Sequence, residues 1–199
     1  MTSPPTERDD GALAVAALMG EERAFTELMR RHKDAVYRFA RRYVGDSEEA
    51  FDLVQETFVS AWTALGDYDP RRPMSAWLKR IVLNKCRDWS RRRQVRHFFF
   101  GAEPMDAKRT ETIAGAQAAP DPAMENALAR LDAALAALPA ALKEPLLLTA
   151  IEGMSHKEAG RILGLSPKAI EMRIRRAKQA LAQTVDIGPQ SAADEANNN

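Results

Sequence analysis

The sequence predicts an all-α protein built as two small helical domains joined by a flexible linker. Three observations predict it. Ala and Leu dominate and β-branched runs are scarce, a composition that favours helices. Apolar residues recur at helical spacing in two separate blocks. Between the blocks lies GAEPMDAKRTETIAGAQAAPDPAMEN, rich in Pro, Gly, Ala and small polar residues and without a sustained period. The 199 residues suffice for one ordinary domain or two small ones. The boundaries read as 10–97 for the first domain, 98–126 for the linker, 127–184 for the second domain and 185–199 for a disordered tail.

Ahead of the first domain, residues 1–10 are polar and carry Pro4 and Pro5, which predicts a frayed start. Asp10 is placed to cap a short helix over 11–19. Phe25, Leu28, Met29, His32, Val36, Phe39, Ala40 and Tyr43 then define one face of a long helix that ends near Gly45. The next helix opens on Asp46, Glu48, Glu49, Asp52 and Glu56, acidic residues suited to a helix N-terminus. Its stripe is Leu53, Val54, Thr57, Phe58, Ala61, Trp62 and Leu65. A turn-rich connection, Gly66-Asp67-Tyr68-Asp69-Pro70, leads to a helix that buries Met74, Trp77, Leu78, Ile81, Val82 and Trp89. Leu83 projects on the polar side of that helix and Lys85 on the apolar side, and periodicity explains neither.

Phe98-Phe99-Phe100 is unusual for a free linker, and we expect it to be pinned against the first domain or a partner. The linker could reach on the order of 80 Å when extended, so the domains can act at separate places. Leu128, Leu131, Leu135 and Leu138 form the stripe of the next helix, closed by Pro139. A segment over 140–152 carries Leu142, Leu146, Leu147 and Ala150, with Pro145 in its first turns. Gly153 ends it. Ser155 caps a helix over 156–163, with Glu158 at the capping-box position. Gly164 stops that helix, Ser166 caps the last one with Pro167 at its first position, and Ile170, Ile174, Ala177 and Leu181 face inward.

Charge and composition narrow the chemistry. The chain is 45% hydrophobic and 29% charged, and its net charge of +1 hides a segregation of signs. Between residues 69 and 97 the bases Arg71, Arg72, Lys79, Arg80, Lys85, Arg87, Arg91, Arg92, Arg93 and Arg96 face only Asp69 and Asp88, a footprint for a polyanion. Cys86 is the only cysteine, which excludes an intrachain disulfide and a cysteine-based zinc site. His32, His97 and His156 have no ligand spacing. We therefore expect no metal, no cofactor and no catalytic residues. The start lacks the pattern of a signal peptide, and no apolar run approaches a membrane span of about 20 residues, so a cytoplasmic protein is expected.

Two surfaces carry the functional signal. On the 3.6-residue repeat, Arg80, Asn84, Arg87 and Arg91 share one face. The neighbouring connection over 67–75, with Tyr68, Arg71, Arg72 and two prolines at a helix entrance, makes a pocket suited to an unstacked base. Trp77 and Trp89 lie on the apolar stripe and read as core. The second surface is the capped helix, glycine turn and basic helix over 153–181, a helix-turn-helix. Lys168, Met172, Arg173, Arg175, Arg176 and Gln179 lie opposite its apolar stripe, placed for phosphates and guanine edges. Asp52 and Glu56 share a face beside Gln55. No third ligand completes a metal site there, so a protein-binding face is the better reading.

Together these residues resemble the extracytoplasmic-function sigma factors of bacterial RNA polymerase. The likeness lies in Asp52-Leu53-Val54-Gln55-Glu56-Thr57-Phe58 with Ala61-Trp62, and in Trp77-Leu78 with Arg80-Ile81 and Asn84 before the arginine run. It continues in Leu138-Pro139, Glu152-Gly153-Met154-Ser155, Gly164-Leu165-Ser166, Arg173-Ile174 and Arg176-Ala177-Lys178. It covers about residues 21–182.

The resemblance implies that Asp52, Gln55 and Glu56 dock on the clamp coiled coil of polymerase β′, with β as a further partner. It implies that Tyr68, Arg71, Arg72, Arg80, Asn84, Arg87 and Arg91 serve the minus-ten element, where non-template bases are flipped and captured. Ser166, Lys168, Met172, Arg173, Arg175 and Arg176 would read the minus-thirty-five element as duplex. Core polymerase, promoter DNA and an anti-sigma protein are the implied partners. Phe51 stands where an acidic residue is usual. Ala159-Gly160 replaces a larger residue plus alanine, which predicts a less well packed helix. Glu171-Met172 replaces a basic and small pair, so base preference does not transfer. The rival from another class is a free-standing regulator with a helix-turn-helix output and a helical sensor; an enzyme acting on nucleic acid is a more distant third.

Overall fold

The structure is a computed structural model and describes residues 9–100 and 122–186. Among these residues there are eight α-helices and no strand. Helices α1 to α4 span Asp10–Leu18, Glu22–Val44, Ser47–Thr63 and Met74–Phe100; α5 to α8 span Pro122–Ala137, Ala140–Leu146, His156–Leu163 and Pro167–Asp186. A 3-10 turn at Leu65–Asp67 follows α3, and a π turn at Leu147–Ile151 extends α6 after Pro145. The all-α class is as the composition predicts. Two compact units result: one holds α1, α2 as far as Arg41, α3 and α4, and the other holds 42–47 with α5 to α8.

Several limits and faces differ from the sequence reading. Helix α4 runs on to Phe100 and α5 starts at Pro122, so both reach into the expected linker. Proline is tolerated at a first helical position because its missing N–H has no partner there anyway. The rest of the expected linker, the expected tail from residue 187 and the anchoring of the three Phe side chains lie outside the described residues. Asp9, rather than Asp10, caps α1 by accepting from the Ala12 N–H at 2.7 Å. Asp10 is occupied elsewhere: its carboxylate meets His32 Nε2 at 2.7 Å and Arg31 Nη1 at 3.2 Å, tying α1 to α2.

In the first unit, α2 contributes Leu28, Val36, Phe39 and Ala40 to the core, and α3 contributes Ala50, Leu53, Phe58 and Ala61. Thr57 is buried with them, its hydroxyl donating to the Leu53 carbonyl at 2.6 Å. Helix α4 buries Met74, Leu78, Val82, Leu83, Cys86 and Trp89, about half its circumference rather than one stripe. This accounts for Leu83, which is 1% exposed and not on a polar side. Burying such a side chain stabilises by about 1.5–3 kcal/mol. Lys85 lies within the apolar arc but extends its ammonium to Glu56 at 3.9 Å, keeping the charge at the rim. Trp62 leaves the expected core: it is 46% exposed, its ring edge-on to Phe25 at 4.8 Å. Met29 is also exposed.

In the second unit, Ala134, Leu135, Leu138, Leu146, Leu147, Leu148, Ala159, Ile170, Ile174 and Ala177 are buried, whereas Leu131 and Ala150 lie outside. The caps are as the sequence predicts. The Ser155 hydroxyl accepts from the Glu158 N–H at 3.2 Å while the Glu158 carboxylate accepts from the Ser155 N–H at 2.9 Å. Ser166 Oγ accepts from the Ala169 N–H at 3.2 Å. Gly164 ends α7 with φ +69°, the left-handed conformation that glycine adopts without strain. The Ala159-Gly160 pair is a tight fit and not the loose one expected. Ala159 is fully buried, and a Cβ on Gly160 would stand 2.5 Å from the Leu165 carbonyl oxygen.

Candidate nucleic-acid interface

The connection between α3 and α4 is a self-bonded platform. The Tyr68 N–H bonds the Leu65 carbonyl at 3.1 Å, and the Arg72 N–H bonds the Asp69 carbonyl at 2.9 Å. Asp69 also accepts from the Arg71 N–H at 3.1 Å and from its Nε at 3.2 Å. The backbone N–H first, then the guanidinium, hold the Asp69 carboxyl below its ordinary range. These bonds leave the side chains of Arg71 and Arg72 projecting, 91% and 79% exposed.

Tyr68 departs from its expected place as a face open to an unstacked base. It is 6% exposed, its ring tilted against Trp77 at 5.2 Å and its hydroxyl donating to the Arg72 carbonyl at 2.6 Å. Burial, then the neighbouring Asp10 carboxylate, push that hydroxyl's pKa up. Tyr68 is therefore an anchor beneath the arginines. Trp77 is half-buried against it, and Trp89 is buried as expected.

Beyond the platform, Arg80, Asn84 and Arg91 are exposed and Arg87 is half-buried, so the expected basic face exists. Arg91 is paired with Asp88, which tempers its charge. Farther along α4, Arg93 lies over the Trp89 ring at 5.2 Å, and the Trp89 indole N–H donates to Glu49 at 2.7 Å.

Asp52 and Gln55 are exposed on α3, and Glu56 is partly exposed. Glu56 does not stand alone: Arg92 Nη2 reaches it at 3.6 Å, in addition to Lys85. Between α3 and α4 this makes a groove of about 630 Å³ with Glu49, Asp52 and Glu56 on one wall and Arg91, Arg92 and Arg96 on the other. Leu53, Trp89 and Val95 supply its apolar part. Sequence reasoning missed the groove because it treated the two helices separately; the opposite charges of their facing flanks were the available signal.

On the second unit, α8 buries Ile170, Ile174 and Ala177 and turns Lys168, Arg175 and Arg176 outward, with Met172 and Arg173 half-buried and Ser166 exposed at its cap. Arg175 Nη2 leans on the Met172 sulfur at 3.1 Å. No group of His, Cys, Asp and Glu able to hold a metal occurs among the described residues. No helix among them is long and apolar enough to cross a membrane.

A helical unit with an arginine platform, together with a capped helix-turn-helix, has the form of a nucleic-acid-binding protein. The family matches agree, with Sigma-70 region 2 at residues 28–96 and Sigma-70 region 4 at residues 128–181. The RNA polymerase sigma factor CnrH of Cupriavidus metallidurans is 44% identical over 183 residues, covering 90% of this chain and 96% of that protein. The ECF RNA polymerase sigma factor SigE of Mycolicibacterium smegmatis is 35% identical over 187 residues, covering 89% and 68%. The solved structure of CnrH in complex with the cytosolic domain of CnrY shares the fold, with a TM-score of 0.65 and 38% identity over 90% of this chain and 98% of that one. This chain belongs to the extracytoplasmic-function sigma factors, the subunits that direct core RNA polymerase to promoters.

Proposed function

We propose that the chain grips one promoter at two places while polymerase holds both grips in register. In the first unit, Asp52, Gln55 and Glu56 dock on the β′ clamp coiled coil, and Arg71, Arg72, Arg80, Asn84 and Arg87 hold the opened minus-ten strand, with Arg91 at the edge of that path. Tyr68 serves by holding Arg72 in place and not by stacking. In the second unit, Ser166, Lys168, Met172, Arg173, Arg175 and Arg176 address the minus-thirty-five duplex. The chain supplies no chemistry of its own; capturing unstacked bases offsets an unstacking cost of a few kcal/mol and so favours the melted state. Such a protein works in the cytoplasm, where polymerase and DNA are. The complex of CnrH with CnrY supports control by an anti-sigma protein here too.

The observation that carries this reading is a pair of projecting arginines in the loop that leads directly into the helix carrying exposed Arg80 and Asn84. Asn84→Ala is expected to impair open-complex formation with core binding intact; equal loss of both would contradict the assignment. Arg176→Ala is expected to weaken upstream duplex binding and to lower its salt slope by about one, since each phosphate contact adds roughly that much. An unchanged slope would remove Arg176 from the contact.

A further inference from the structure

Helix α1 carries none of the residues assigned to DNA or polymerase, yet its first turn sits against the minus-ten platform. Gly11, its second residue, lies close against Pro70. A Cβ there would stand 3.1 Å from the Pro70 carbonyl oxygen and 3.3 Å from the Pro70 Cβ. Pro70 directly precedes Arg71 and Arg72. A side chain at position 11 would sit tighter than ordinary packing, so Pro70 would have to give by a few tenths of an ångström. The φ of Gly11 is ordinary, so the close approach, and not backbone freedom, is what glycine provides.

The position of α1 is in turn fixed from behind. Asp10, next to Gly11, is held by His32 and Arg31 on α2, and Arg31 Nε is itself braced by Glu27 at 2.8 Å. Within the loop, Tyr68 pins the chain to Arg72 and packs on Trp77 of α4. The loop is thus held by an internal anchor at Tyr68 and approached by α1 at Pro70. Projecting arginines have many rotamers, so the placement of their backbone decides where their forks can fall.

We propose that Gly11 is a positioning residue for minus-ten recognition: α1, tethered through Asp10, acts as a stop against Pro70 that sets how far Arg71 and Arg72 project. This rests on the assignment of loop 67–75 to the minus-ten element given above. It makes base discrimination in the first unit depend on a helix that carries none of the assigned DNA contacts.

The test uses the full chain with core polymerase and a promoter that the unaltered protein selects from a random library. Open-complex formation is measured on that promoter and on single-base variants of its minus-ten and minus-thirty-five elements. Gly11→Leu is expected to reduce minus-ten discrimination by about tenfold, the size of losing one base contact. Core affinity and minus-thirty-five discrimination are expected to stay unchanged. Gly11→Ala should act in the same direction but less, although alanine is the better helix former. The alanine variant decides the test if the leucine variant does not fold, as judged by helical circular dichroism. Asp10→Asn, which loosens the tether without adding bulk, should lower the same ratio. Unchanged minus-ten discrimination in folded Gly11→Ala and Asp10→Asn would overturn the proposal, as would equal losses at both elements. Asn84→Ala in the same assay keeps the premise separate. If it too leaves minus-ten discrimination intact, the assignment of the platform fails; if it alone abolishes it, only the role of Gly11 fails.

Discussion

Glu27 shows how a single side chain on α2 can carry a pH signature. Its carboxylate takes Arg30 Nε at 2.7 Å and Arg31 Nε at 2.8 Å, and these bonds, Arg30 first, hold its pKa down at about 2 against an ordinary 4.5. A depressed carboxylate stabilises the fold fully above its unfolded pKa and loses that contribution as pH falls toward the folded value. The window here runs from about 4.5 down to about 2. Glu27→Gln is expected to lower stability modestly at neutral pH and to flatten its loss across that window in acid denaturation followed by circular dichroism, the two chains converging as the pH nears the folded value. An acid limb as steep as that of the unaltered chain would show that the fork contributes nothing. At this scale the sequence was partly legible. The Asp69 and Glu158 carboxylates lie near partners within three residues, which spacing reveals. The Asp10 and His32 pair spans twenty-two residues and two helices, and no local pattern announces it.

At the scale of the element, the helix-turn-helix was the most readable part and α4 the least. Caps at Ser155 and Ser166 and the stop at Gly164 depend on bonds three or four residues long, so the sequence states them almost directly. Helix α4 misleads because it is covered over about half its surface; a single stripe puts Leu83 on the wrong side, whereas it is 1% exposed. Trp62 misleads the other way, since a large aromatic at stripe spacing reads as core and stands 46% exposed. The Ala159-Gly160 pair supplies the prediction. By propensity alone, Gly160→Ala should stabilise α7 by about 1 kcal/mol. The added Cβ, however, would meet the Leu165 carbonyl oxygen at 2.5 Å, a backbone atom in the turn that sets α8. Overpacking of that kind costs about 1–3 kcal/mol, so the net effect is expected to be destabilising, read as a lowered Tm of the full chain. A raised Tm would mean that the turn yields at no cost and that the fit at Gly160 is not tight.

For the whole molecule, division of labour is the central feature. Each unit is small, and each presents cations on a surface whose apolar side is buried: Arg71, Arg72 and Arg80 on one, Lys168, Arg175 and Arg176 on the other. The two-domain all-α plan could be read from composition, periodicity and the Pro- and Gly-rich interval, and the family matches fall on both halves. The groove between α3 and α4 and the stop at Gly11 could not, because each arises where residues distant in sequence meet. A protein whose two grips belong to one promoter should need polymerase to align them, whereas a free-standing regulator should not. The most direct measurement is therefore to purify the chain with and without core polymerase and to compare duplex binding by the free chain with transcription by the complex from a random promoter library. The account predicts co-purification with core, weak duplex binding alone, and enrichment of promoters sharing two spaced elements. Tight unaided binding to a single duplex site, with no affinity for core polymerase, would contradict it.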